Sequence, residues 1–167
     1  MKAITIYTVI GILPLLVSCT SERMTLSPVG PRPVAWEKVL PPAGKGQLEV
    51  FTETDEYEWG QDVPFFPHRD YQICTPEGKR VERVWNHQTH EDETPATVTL
   101  PAGRYLVKAD AEFYGPVTVP VVIRPDQTTR VVLQPGWKPA GEFAASDLVG
   151  FPSGYFVGWR ADRSGQK

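Results

Sequence analysis

Two neighbouring segments alternate almost without fault between apolar and polar side chains. In residues 104–113, Tyr105, Val107, Ala109, Ala111 and Phe113 share one face, with Arg104, Lys108, Asp110 and Glu112 opposite and Leu106 as the one intruder. In residues 117–123, Val117, Val119, Val121 and Ile123 fall together. A period of two means a strand with one side buried and one side wet, which is the pattern of antiparallel sheets. Shorter runs repeat it: Leu48 and Val50 in 47–52, Tyr71 and Ile73 in 70–75, Val98 and Leu100 in 96–100, Val131 and Leu133 in 129–133. Residues 80–86, with Val81, Val84 and Trp85, are less regular and suggest a bulge. No segment has convincing helical periodicity. Seven short strands with turn signals between them predict an all-β chain, an antiparallel seven-stranded β-sandwich of the Ig-like or prealbumin-like kind.

The connections carry turn chemistry. Thr75-Pro76-Glu77-Gly78 puts proline second and glycine fourth, as a type I turn prefers, and Leu100-Pro101-Ala102-Gly103 has the same layout. Tyr114-Gly115-Pro116 and Pro125-Asp126-Gln127 punctuate the last strands. Pro120 falls inside a strand, where it cannot donate to a ladder, so it is expected at an edge or a bulge.

The first residues are of another kind. Lys2 is followed by an apolar run over residues 4–17, interrupted by Thr5, Tyr7, Thr8 and Pro14. The run is shorter than the ~20 apolar residues that span a bilayer. A short run behind a basic start and before small residues reads as a cleaved signal peptide, residues 1–18. It ends Leu16-Val17-Ser18-Cys19, which resembles the bacterial lipobox. That resemblance implies that Cys19 becomes the first mature residue and carries acyl chains such as palmitate. Each buried methylene contributes ~0.8 kcal/mol, so two or three chains hold a protein to a leaflet without a spanning segment. Thr20 is not the aspartate that retains lipoproteins at an inner membrane, which favours the outer membrane and an extracytoplasmic, envelope location.

Cleavage before Cys19 leaves 149 of 167 residues, with 16 basic against 20 acidic side chains. That balance lacks the basic stripe a nucleic-acid binder needs. Cys74 is then the one other cysteine and reads as a small strand residue. Residues 19–46 hold Pro28, Pro31, Pro33, Pro41 and Pro42, with Gly30, Gly44 and Gly46, and read as a lipidated cysteine followed by a semi-extended tether. Residues 47–135 are the expected sandwich. Residues 136–167 are too aromatic for a disordered tail and are expected to pack back on it, with a tight hairpin around Ser153-Gly154.

The stretch 94–109, TPATVTLPAGRYLVKA, is similar to the hairpin of carboxypeptidase-regulatory-like and PEGA-type domains, and Tyr114-Gly115, residues 117–123 and Asp126-Gln127-Thr128-Thr129 continue the match. It covers about residues 47–135. The resemblance implies a small prealbumin-like sandwich that decorates envelope proteins as an accessory or binding module.

Few residues suggest chemistry. His87 and His90, with Glu91, Asp92 and Glu93, are the candidate metal ligands, although a solvated acidic loop is the favoured reading. The acids Glu53, Asp55, Glu56 and Glu58 lack the glycine-centred spacing of a calcium loop. Ser146, Ser153 and Ser164 sit in no nucleophile elbow, and no glycine-rich phosphate loop exists, so neither an enzyme nor a cofactor is expected. The aromatic residues are the stronger signal. Trp59, Trp137, Tyr155 and Trp159 are candidate binding residues, and covering a sheet face is the competing role. The chain is therefore expected to be a membrane-anchored, non-catalytic interaction or structural module of the cell envelope, its partner a protein or, alternatively, a cell-wall or extracellular glycan.

Overall fold

The computed structural model describes residues 23–33, 43–58 and 64–161. Among these the chain is all-β. In order, its strands are β1 (Met24–Thr25), β2 (Val29–Gly30), β3 (Lys45–Phe51), β4 (Tyr57–Glu58), β5 (Pro64–Phe65), β6 (Tyr71–Cys74) and β7 (Arg80–Val84). There follow β8 (Thr97–Pro101), β9 (Gly103–Ala111), β10 (Gly115–Ile123), β11 (Thr128–Val132), β12 (Leu148–Gly150) and β13 (Phe156–Arg160), with one 3-10 turn at Ala145–Asp147. A large sheet runs β12-β13-β2-β10-β9-β6-β7, with β1 also on β10, and a second sheet runs β11-β3-β8. β4 and β5 form a separate two-stranded ribbon.

The two sheets bury their apolar faces against each other. Leu48, Val50, Leu100 and Val131 of the small sheet meet Ile73, Val107, Val119 and Val121 of the large one in a single cluster. These are the positions that the alternation puts on one face. Burying each such side chain contributes roughly 1.5–3 kcal/mol. The bulge is present as well: Ile73 pairs with Glu82 but Cys74 with Arg80, so Val81 is the extra residue of β7. Cys74 is buried in β6.

Several expectations need correction. The sheets are mixed, not purely antiparallel: β11 runs parallel to β3, and β1 and β2 run parallel to β10. Parallel neighbours need a long connection. Here most of the domain lies between β3 and β11. The strands also exceed seven, because residues 24–30 and 148–160 join the large sheet. The proline-rich segment is in part not a tether. Met24 pairs with Val117 and Val29 with Val121, leaving a break at Leu26-Ser27-Pro28. Leu26 N–H donates to Thr118 O, so alternation turns Pro120, two residues on, toward that break, where no donor is called for. Likewise the C-terminal hairpin of β12 and β13 does more than cover a face. β13 pairs with β2 and so extends the sheet.

One turn and one strand end differ from their sequence reading. Thr75–Gly78 closes as expected, with Gly78 N–H donating to Thr75 O at 2.9 Å. Residues 100–103 instead form a corner, because β8 belongs to the small sheet and β9 to the large one, and Ala102 N–H donates to Gly44 O. Phe113 is not a core residue. β9 ends at Ala111, Tyr114 N–H closes a turn onto Ala111 O, and Phe113 stands at φ 68° with 74% of its surface exposed.

Candidate functional site

Asn86 follows β7 and is fully buried between the two sheets. Its Nδ2 donates to Val50 O at 2.8 Å and to Thr52 Oγ1 at 3.2 Å, while its Oδ1 accepts Ala96 N–H at 3.0 Å. One side chain thus ties the end of β3 to both flanks of the 87–95 loop. Thr52 Oγ1 donates in turn to Arg69 O, and Thr52 O meets His68 Nδ1 at 2.9 Å. His68 is buried with its ring edge-on to Phe51. Burial holds its pKa below the usual 6.5, outweighing the Thr52 hydrogen bond and the Glu93 charge, which act the other way.

The loop beyond Asn86 is internally fixed. Asp92 accepts N–H bonds from Gln88 and Thr94, each 3.0 Å, and these two bonds, Gln88 first, hold its carboxyl below the ordinary range. Glu93 Oε1 accepts Phe66 N–H at 2.8 Å. His87 Nδ1 lies 2.7 Å from His68 O, and His90 stacks on Tyr57 with ring centroids 4.3 Å apart. The His87 and His90 rings are 5.8 Å apart and tilted. Among the described residues no group of three or more His, Cys, Asp or Glu side chains is placed to hold a metal ion. The acidic loop is therefore held by hydrogen bonds while Gln88, Thr89, His90, Glu91 and Glu93 stay exposed to solvent. The acids at 53–55 are similarly engaged: Arg69 bridges Glu53 at 2.7 Å and Asp55 at 2.6 Å.

The aromatic candidates separate. Cys19 and Trp59 lie outside the described residues. Trp159 is buried in β13 with the Arg32 guanidinium 5.4 Å from its ring centroid, so it is not an open platform. Trp137 is half-buried. Tyr155 is exposed in the β12–β13 turn. The structure does not bring these residues together in one cleft with His87 and His90.

It does present a tryptophan that was not singled out. Val84 and Asn86 both point into the core, so strand alternation drives Trp85 between them outward. β7 is an edge of the large sheet, and Trp85 is 68% exposed. Arg83 covers one face of the indole from 4.9 Å and is itself held by Asp70 at 3.1 Å. Trp85 lines a cleft of about 660 Å³ with His87, Gln88, Thr89, Asp92 and 94–97. The signal was in the sequence: with a bulge at Val81, the next apolar position that cannot be core is Trp85. Compared with family models, curated proteins and solved structures, the chain finds no match.

Proposed function

We propose that this chain is a lipid-anchored, non-catalytic recognition module of a bacterial cell envelope, held through Cys19 and presenting the Trp85 cleft to an envelope component. The leader ending at Cys19 supports the anchor, and Thr20 favours the outer membrane. The observation that carries the recognition role is Trp85 itself, a large exposed ring beside a cleft whose walls are fixed by the Asn86 and Asp92 hydrogen bonds. Rigid, aromatic-centred surfaces lose little entropy on binding. The titratable groups of the cleft are occupied structurally: Asp92 holds two backbone N–H groups, and His87 is bonded to His68 O. The PEGA-type similarity of residues 94–109 agrees with an accessory module.

The test uses cells producing the full chain with a photoreactive residue at Thr97, beside Cys19→Ala and Trp85→Ala variants. The unaltered Cys19 chain should incorporate labelled palmitate and sediment with membranes, and Cys19→Ala should do neither. Photocrosslinking should give a discrete adduct that Trp85→Ala loses while its melting temperature is unchanged. Absence of palmitate from the parent chain removes the anchor. An adduct indifferent to Trp85 removes the cleft.

A further inference from the structure

Resting on that reading of the cleft, we infer that its ligand is a neutral glycan of equatorially substituted pyranoses, stacked on the open face of Trp85. A pyranose with equatorial substituents has a flat face of C–H groups and a rim of hydroxyls. It needs an aromatic face under the ring and short, fixed polar groups around it. The cleft supplies both. One indole face is taken by Arg83, whose guanidinium polarises the ring, and with 68% of the residue exposed the other face is open. The rim carries the Gln88 amide and the Thr89, Thr94 and Thr97 hydroxyls.

Two features favour a sugar over a protein side chain. The cleft wall mixes the Gln88 amide and threonine hydroxyls with the apolar Pro95 and Ala96, as a sugar with C–H faces and a hydroxyl rim requires, and its volume of about 660 Å³ falls within the range of small-molecule sites, ~300–1,000 Å³. The one carboxylate, Asp92, is pinned by the Gln88 and Thr94 N–H groups, so its negative charge is fixed at the cleft wall. An anionic glycan would meet that charge, which is why the ligand is neutral.

The test is a titration of the full chain in detergent with cellotetraose and chitotetraose, followed by tryptophan fluorescence and by calorimetry. Saturable binding of at least one, weakened about tenfold or more by Trp85→Ala and less by Gln88→Ala, is the expected result. Trp85→Phe should recover part of the affinity, since it restores a stacking face. Absence of saturable binding to either oligosaccharide, or binding that survives Trp85→Ala, overturns the inference. If the sugars fail while Trp85→Ala still abolishes the in-cell adduct, the recognition role stands and the ligand is a protein. If the adduct is also indifferent to Trp85, both readings fall.

Discussion

Asn86 makes three side-chain hydrogen bonds that reach two other segments of the fold. It is wholly buried, and it satisfies the β3 carbonyl of Val50 and the amide of Ala96 at once. Replacement by alanine would leave both groups buried without a partner, so Asn86→Ala should destabilise the domain by about 2–3 kcal/mol in denaturant unfolding. A smaller loss, below the effect of an ordinary surface substitution, would show that the network is not what holds the loop. His68 makes a pH prediction. Its folded pKa lies below 6.5 because of burial, so the folded state resists protonation more than the unfolded chain does. Its contribution is therefore complete above pH 6.5 and is lost as the pH falls from there toward the folded value. Denaturant midpoints taken between neutral pH and about pH 5 should fall for the parent chain, and His68→Gln should flatten that slope. An identical slope in both would assign the dependence to other groups.

Strand positions were legible because the sheets are built from strict alternation. Val117, Val119, Val121 and Ile123 read as one face and are one face, and Leu48, Val50 and Val131 lie opposite them in the core. Element ends were less legible, since alternation does not announce where it stops. Phe113 continues the pattern of β9 arithmetically, yet the chain has already turned, and φ 68° places it in the left-handed region. A bulky residue there costs roughly 1–2 kcal/mol. Phe113→Gly should therefore raise stability by about 0.5–1 kcal/mol, after the greater freedom of glycine in the unfolded chain is counted. A loss of stability would mean that the exposed ring makes contacts within the fold. The same limit explains residues 100–103. A Pro-x-Gly layout encodes a change of direction, but whether the chain folds back in one sheet or crosses to another depends on the partners of β8 and β9.

Across the whole molecule, residues 24–30 and 148–160 are the unexpected part of the sandwich. β13 passes so close to β11 that a Cβ on Gly158 would lie 2.7 Å from Arg130 O and 2.6 Å from a Val29 methyl. The β12–β13 hairpin also sends Val149, Phe151 and Val157 into the core. A chain ending at Pro135 loses these side chains and uncovers β2. At roughly 1.5–3 kcal/mol for each, the loss approaches the 5–15 kcal/mol stability of an ordinary domain. Such a truncation should show no cooperative thermal transition by circular dichroism. A retained sharp transition would make the hairpin an accessory. By itself, the sequence determined that the chain is β-rich and which side chains of the long strands face inward, because both follow from local periodicity. Only the tertiary structure decided that the proline-rich start and the aromatic tail complete the large sheet, that Trp159 is buried while Trp85 is open, and that the histidine loop is pinned by hydrogen bonds. Those outcomes depend on which strands become neighbours, and pairing between residues far apart in the chain leaves no local pattern to read.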